Sequence, residues 1–347
     1  MDSKQLSFDY ARRFGLEIEM LSFDKRDFKQ NPLDHHAGEI PKGADRVALL
    51  LTGKLKTQVD IRKWGHTNNN NSWVVKPDSS CGIEICSPVL KGWSGIKQIC
   101  QGVESLLTEK RCAVDDRCGL HLHVDVSDCE TDEIAKIISY WVKCEAVFLD
   151  SVPASRKRNK YCQPIGQSNH FNTDSTLQSE RIVTALGQCK YYTLNTFHMN
   201  RPQSKRQTIE FRIAEGAGCL DPFHIKNWIR LLIHFVERAK ARPRLQAYNP
   251  KNPMTSFSWL DPKDVFEFLG FNENLSPGLK QTRDWFLARI LKNQLDTNLP
   301  GIWSNEARYY ARKEALELAE KYQLQDITQT LYPADLTEAL WAEETKA

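Results

Sequence analysis

The stretch Phe14-Gly15-Leu16-Glu17-Ile18-Glu19-Met20 alternates apolar residues with acids. In an extended strand successive side chains point to opposite faces. Phe14, Leu16, Ile18 and Met20 then share one face, and Glu17 and Glu19 share the other. Three further segments repeat the pattern. In Gly82-Ile83-Glu84-Ile85-Cys86, two isoleucines oppose Glu84, and a chain extended back through Ser80 adds Asp78 to the acidic side. In Cys118-Gly119-Leu120-His121-Leu122-His123-Val124-Asp125-Val126, four apolar residues oppose His121, His123 and Asp125. In Thr208-Ile209-Glu210-Phe211-Arg212-Ile213, Ile209, Phe211 and Ile213 oppose Glu210 and Arg212.

Period-2 patterning marks antiparallel sheets with one face on the core. A plain solvated face carries a mixture of Lys, Thr, Ser and Gln, whereas these faces carry Glu, Asp, His and Arg. If the strands are neighbours, the carboxylates cluster. Two bare carboxylates about 5 Å apart repel by roughly 3 kcal/mol at an effective dielectric near 20. Four or more need protons or cations, and a divalent metal is the economical answer.

Between the strands lie helical patterns. Ile96, Ile99, Cys100, Val103, Leu106 and Leu107 form one stripe, and Ile134, Ile137, Ile138, Trp141 and Phe148 form another behind the start Thr131-Asp132-Glu133. Asp221-Pro222 pairs an N-cap with a first-turn proline. The helix it opens presents Ile225, Trp228, Leu232, Phe235, Val236 and Ala239. Narrow stripes of this kind suit helices that cover the apolar sheet face and leave the opposite face open as a polar trough. The expected fold class is therefore α+β: an antiparallel sheet with helices on one face, plus a C-terminal helical segment. Residues 1–242 read as the main domain, with an insertion at 24–72 that holds a helix near Asp45–Leu55 and the polar loop Asn68 to Asn71. Residues 243–258, with Pro243, Pro250 and Pro253, read as a linker. Helical segments follow around 262–269, 277–294, 304–323 and 333–345.

Composition excludes several classes. Of 347 residues, 47 are basic and 44 acidic, a net charge of +3 that gives no electrostatic footprint for nucleic acid or an anionic membrane. Mean hydropathy is −0.52, and no run of 18 apolar residues offers a membrane span. Met1 to Tyr10 lacks an apolar signal core, so the expected setting is cytoplasmic. The ten cysteines are scattered without a CxxC pair and read as reduced and structural; Cys100 and Cys144 fall on helix stripes.

The order of motifs resembles the amidoligase family. The matching stretches are Phe14-Gly-Leu-Glu-Ile-Glu19, Asp78-Ser-Ser-Cys-Gly-Ile-Glu-Ile-Cys-Ser-Pro88, Cys118-Gly-Leu-His-Leu-His-Val124, Tyr191-Tyr-Thr-Leu-Asn195 and Thr208-Ile-Glu-Phe-Arg212. With the Asp-Pro helix that follows them, the resemblance covers about residues 8 to 242. The family belongs to the carboxylate–amine ligases related to glutamine synthetase and glutamate–cysteine ligase. The resemblance implies a curved, glutamine-synthetase-like sheet that holds ATP and two or three Mg²⁺ ions on its concave face. It also implies a reaction in which ATP phosphorylates a carboxylate to an acyl phosphate and an amine then displaces phosphate to give an amide. By resemblance Glu17, Glu19, Glu84 and Glu210 are metal ligands, and His123 joins them or contacts a phosphate. Arg212 holds the transferred phosphoryl group, and Arg156, Arg158 and Lys160 form a basic loop that closes over phosphates. Tyr191 and Asn195, with His121, line the nucleotide or substrate pocket. Asp78 ligates metal indirectly or deprotonates the amine. The implied partners are a small-molecule or peptide carboxylate and an amine or ammonia.

Read singly, the same residues have plainer meanings. Asp78 starts a turn, Glu210 and Arg212 form a cross-strand ion pair, His121 is a satisfied surface histidine, and 156–160 is a solvated charge run. Rival functions follow as well. Cys118, His121 and His123 offer a thiolate and two imidazoles to the Zn²⁺ of a metallohydrolase. A phosphotransferase on a related fold uses ATP without forming an amide. An inactive scaffold uses neither.

Overall fold

The computed structural model of the chain describes residues 6–8, 11–23, 40–63, 71–167, 189–197, 199, 207–245, 260–272, 274–296 and 305–341. They fall into two compact units, Ala11–Val124 with Ala214–Ile229, and Met1–Tyr10 with Asp125–Ile213 and Arg230–Ala347. Most of the 24–72 insertion's loops, including Asn68 to Asn70, and most of the expected linker lie outside the described residues.

The first unit is a sheet with helices. Its strands are β1 (Arg13–Leu21), β2 (Val59–Ile61), β3 (Trp73–Asp78), β4 (Gly82–Cys86), β5 (Leu90–Lys91) and β6 (Gly119–Asp125, whose last residue belongs to the other unit). They lie in the order β2-β3-β4-β1-β6, with β5 on the first residues of β1. The pairs β3–β4, β4–β1 and β1–β6 are antiparallel, as the alternation predicts. The short β2 departs from the expectation by running parallel to β3.

Two helices, α1 (Ala44–Leu55) and α2 (Gly92–Leu107), serve the apolar side of this sheet. A Cβ added at Gly95 of α2 would meet Leu90 Cβ at 2.8 Å and Phe14 Cζ at 3.2 Å, so glycine lets the helix sit against β1 and β5. A Cβ at Gly102 would lie 3.3 Å from Leu51 of α1 and 3.7 Å from Trp73 of β3. The stripe Ile96, Ile99, Cys100, Val103 and Leu106 is buried as predicted. Leu107 is not; at the last residue of α2 it is half exposed, past the edge of the covered surface.

The second unit holds α3 (Thr131–Asp150), α4 (Ala154–Lys157), β7 (Leu194–Asn195) and β8 (Thr208–Glu215, through Ile213), with β7 and β8 antiparallel. It also holds α5 (Pro222–Lys240, from Arg230), α6 (Pro262–Leu269), α7 (Pro277–Leu295), α8 (Asn305–Lys321), α9 (Ile327–Leu331) and α10 (Leu336–Trp341). The four C-terminal helical segments read from sequence correspond to α6, α7, α8 and α10, and the short α9 between the last two was not expected. A capping box between Glu130 and Glu133 starts α3. Asp261 and Ser276, each followed by proline, cap α6 and α7.

An aromatic cluster joins these helices. Trp141 stacks on Phe148 at 4.8 Å and meets Phe211 of β8 at 4.9 Å. Phe148 touches Phe235 of α5 at 5.5 Å and Phe286 of α7 at 5.6 Å, and Phe235 meets Phe268 of α6 at 5.5 Å. The narrow stripes expected for α3 and α5 are therefore wrong. Lys143 of α3 and Arg230 and His234 of α5 are buried along with the apolar residues, because α6 and α7 cover faces that a two-layer sandwich would leave in water. Glu145 of α3 is buried where it accepts from the Ile165 and Gly166 amides and the Thr193 hydroxyl. Among the described residues no helix is long and apolar enough to cross a membrane.

Removing residues 259–347 takes Phe268 and Phe286, with Phe266 stacked on the latter, out of this cluster, at about 2–3 kcal/mol per buried aromatic. The expected outcome is an insoluble or non-cooperative 1–258 fragment. Soluble expression with a single sharp thermal transition would contradict it.

His234 generates a second expectation. Its Nε2 lies 2.7 Å from the Leu269 carbonyl, and its ring stacks on Phe271. Burial, with the nearby Arg238 charge, pushes its pKa down to about 4 against the carbonyl's opposing pull. The unfolded chain takes up this proton near pH 6.5 and the folded chain only near 4. The stability this group confers is thus complete above about pH 6.5 and is lost as pH falls toward 4, on the order of 3 kcal/mol. In urea titrations at pH 5 and pH 7, His234→Gln should show a smaller acid loss than the wild type.

Candidate functional site

The register of β3, β4, β1 and β6 puts one set of polar side chains on one face. Glu19 pairs with Glu84, Glu17 with Cys86 on one side and His121 on the other, Lys76 with Glu84, and Asp78 with Gly82. Directly opposed residues share a face, and those two apart on a strand stay on it. The face therefore carries Lys76, Asp78, Glu84, Cys86, Glu17, Glu19, His121 and His123, while Phe14, Leu16, Ile18, Ile83, Ile85, Leu120 and Leu122 fill the other. Glu19, Glu84 and His121 are buried, and Glu17 and His123 are partly so.

Electrostatics on this face is tense. Burial, with the adjacent Glu17 charge, raises the Glu84 carboxyl to about 7, against the pull of Lys76. The Lys76 ammonium lies 2.7 Å from Glu84 Oε1, and the Cys86 thiol donates to the same oxygen at 3.0 Å. Lys76 is raised above its ordinary value because Glu84, Cys86 and Glu17 outweigh its burial. Glu17 goes the other way. Burial opposes its ionisation, but the charge of His123 and hydrogen bonds from His121 and His123 hold it well below the usual carboxylate range. His121 Nδ1 is 3.4 Å from Glu17 Oε2 and its Nε2 is 3.7 Å from Glu19 Oε1, while His123 Nε2 is 3.3 Å from Glu17 Oε1.

Two sets of ligand atoms on this face lie within 4.8 Å of one another, Glu17 with Glu84 and Cys86, and Glu19 with Asp78 and Cys81. Asp78 closes the β3–β4 turn. Its Oδ1 accepts from the Ser80 amide at 2.7 Å, the Cys81 amide at 3.1 Å and the Ser80 hydroxyl. The chain turns here instead of extending, so Ser80 does not join the acidic face; Asp78 does, through its pairing with Gly82. Burial raises the Cys81 and Cys86 thiols, with neighbouring carboxylates adding to it, and both stay protonated. Cys118 hydrogen-bonds with Cys81, and among the described residues no metal-holding group joins Cys118 to His121 or His123. The donor set for a zinc hydrolase is not assembled.

The second unit places the remaining residues. Asn195 and Glu210 face each other across β7 and β8, and Asn195 Nδ2 donates to Glu210 Oε2 at 2.6 Å. Arg212 pairs with Glu210 through Nη1 and donates from Nε to the Tyr161 carbonyl at 3.1 Å. The ion pair read from sequence as cross-strand instead joins two residues of the same strand, β8, and it fixes the guanidinium. Arg156 is buried in α4 and donates to the Arg212 carbonyl, so it buttresses β8 and is not a solvated loop residue. Arg158 and Lys160 are exposed, the latter with its ammonium 4.9 Å from the Tyr161 ring centre. Tyr191 is half-buried with its ring 5.3 Å from that of Tyr161.

Sequence reading missed Lys76. The signal was present in Trp73-Val74-Val75-Lys76-Pro77-Asp78, where Lys76 and Asp78 keep period 2. Pro77 obscured it, since proline is rare within paired strands.

A family model described as "Putative amidoligase enzyme" matches residues 10–236. The chain belongs to the amidoligase family. That match includes every strand of both units and stops short of α6 to α10. Among solved structures, the chain is similar to a cryo-electron microscopy structure of Plasmodium falciparum glutamine synthetase. The two are 12% identical, with a TM-score of 0.39, and the match covers 93% of this chain and 75% of that one. No curated protein matches the sequence.

The raised Glu84 carboxyl has a signed consequence. An acid whose folded pKa exceeds its unfolded value costs stability as pH rises from about 4.5 to 7. In metal-free protein, Glu84→Gln should remove that decline, so its thermal midpoint gains on the wild type between pH 5 and pH 8. A constant difference between the two profiles would show that Glu84 titrates normally.

Proposed function

We propose that this amidoligase joins a carboxylate to an amine at the expense of ATP, through an acyl phosphate, with Mg²⁺ held by carboxylates of the β1–β4–β6 face. The observation that carries the reading is the opposition of Glu19 and Glu84 beside Glu17 on one sheet face, where burial and the Glu17 charge raise the Glu84 carboxyl to about 7. A bound dication would offset that negative charge. The donor chemistry fits Mg²⁺, because the carboxylates are hard oxygen ligands and the neighbouring thiols are protonated.

A carboxylate is a poor electrophile because oxide is a poor leaving group, and phosphorylation converts that oxygen into phosphate, a good one. The transfer depends mainly on positioning and charge neutralisation. Mg²⁺, when bound, supplies the neutralising charge on the phosphate oxygens. Glu17, Glu19 and Glu84 would hold the ions, with Glu210 as a further ligand and His121 and His123 keeping Glu17 ionised. Arg212, fixed by Glu210 and the Tyr161 carbonyl, would present a rigid planar fork to the transferred phosphoryl group. Arg158 and Lys160 would meet phosphates from their exposed positions, and Arg156 would act by supporting β8. Tyr191 and Asn195 would border the nucleotide or substrate pocket. Asp78 would take the proton of the attacking amine.

Screening acids and amines for Mg²⁺-dependent ADP release tests this. With the correct acid, hydroxylamine should trap a hydroxamate, and Glu17→Gln should cut turnover by about 10²-fold or more. ADP release that never yields a hydroxamate would instead support direct phosphotransfer. Full activity in Glu17→Gln would remove the metal assignment.

A further inference from the structure

Lys76 has no place in the motifs that carry the family resemblance, yet it stands directly opposite Glu84 in the β3–β4 register. Its Nζ is 2.7 Å from Glu84 Oε1, the oxygen that also accepts from Cys86. The ligand atoms of Glu17, Glu84 and Cys86 lie within 4.8 Å of one another, so an ion seated among them draws on a carboxylate that the ammonium already engages. The lysine side chain is about one-quarter exposed.

We propose that Lys76 is a built-in counter-cation: in the metal-free protein its ammonium occupies Glu84 in place of a divalent ion, and on metal loading it moves to an anionic oxygen of the bound nucleotide. The proposal rests on the assignment of Glu17 and Glu84 to a divalent ion in the ligase reading. Three physical points carry it. The acidic face needs positive charge in the absence of metal, and Lys76 supplies it at Glu84. Once a dication sits on the same carboxylate, ammonium and metal are like charges a few ångströms apart, and the flexible partner moves. A lysine ammonium is a compact point charge on a four-carbon stem with three donors, suited to exchange one carboxylate oxygen for one phosphate oxygen. Lys76 is thus a positioning residue before nucleotide arrives and a phosphate contact afterwards.

The two halves predict effects of opposite sign, which a static ion pair does not. The full chain is titrated with Mn²⁺ by electron paramagnetic resonance at pH 8.5, with and without ATP. The variants are Lys76→Met, Lys76→Gln, Lys76→Arg and Glu84→Gln, each checked for an unchanged circular dichroism spectrum. Without nucleotide, Lys76→Met should bind Mn²⁺ about tenfold tighter, since a competing charge has gone. In the presence of Mn²⁺ it should bind ATP about tenfold more weakly. Lys76→Arg should stay near the wild type in both, and Lys76→Gln should reproduce the Met result if the Met variant does not fold. Unchanged or weaker Mn²⁺ binding by the Met and Gln variants overturns the proposal, as does unchanged ATP affinity. Glu84→Gln separates the two levels. If it fails to weaken Mn²⁺ binding, the metal assignment falls and the proposal falls with it. If it weakens binding while the Lys76 variants do not tighten it, the counter-cation alone is overturned.

Discussion

The acidic face depends on one constraint, the repulsion between Glu17, Glu19 and Glu84 on two adjacent strands. Directly opposed side chains in an antiparallel pair have Cβ atoms about 5 Å apart, and the Glu19–Glu84 register imposes that spacing. Glu17 on the same face brings a carboxylate oxygen within 4.8 Å of one on Glu84, a distance at which two carboxylates cost roughly 3 kcal/mol at an effective dielectric near 20, and burial makes each ionisation harder. The strand register cannot relax the strain, because sliding by one residue would turn Leu16 and Ile18 outward and Glu17 inward. The apolar face, held down by α2 through the close approach at Gly95, locks the acids into opposition.

The responses to that constraint are ordered. Glu17 stays ionised because two histidines surround it. Glu84, with one lysine and a thiol, remains on the edge of protonation. The asymmetry follows from register: Glu17 has β6 as a neighbour and so meets His121 and His123, whereas Glu84 lies between β1 and β3 and meets Lys76. Two acids on adjacent strands thus acquire different proton affinities from the strands that flank them. The pair Glu210 and Arg212 solves a similar problem differently. There the counter-charge is on the same strand two residues away, and Asn195 across the pair takes the other carboxylate oxygen.

Much of the acidic face was legible in the sequence because a strand's side-chain period is a strict two, so parity alone sorted Glu17, Glu19, Glu84, His121 and His123 onto one side. Lys76 escaped because Pro77 breaks the look of a paired strand. The parallel β2 escaped because three residues carry no periodic signal. Helix periodicity was less informative. It located α3 and α5 but gave each a narrow stripe, because helical polarity records what is charged and not what a later segment will cover. Lys143 and His234 are buried under α6 and α7, which come more than a hundred and about thirty residues later in the chain. Arg156 was misread as solvated for a related reason: a run of basic residues does not reveal that one of them reaches a backbone carbonyl of β8.

The cysteines sharpen the chemistry of the face. Cys81 and Cys86 each sit within reach of an acidic group that could hold an ion, and a thiolate in either place would draw soft metals such as zinc. The same carboxylates prevent it. A thiol buried beside negative charge is pushed up, so Cys81 donates to Asp78 and Cys86 to Glu84 as neutral hydrogen-bond donors. Each thiol therefore leaves the oxygen character of its group intact and adds a weak donor that steadies a carboxylate. Replacing either sulfur with a permanently ionised ligand would raise the repulsion that the histidines and Lys76 now contain. The acids thus set the protonation of their own neighbours, and through it the class of cation the face can accept.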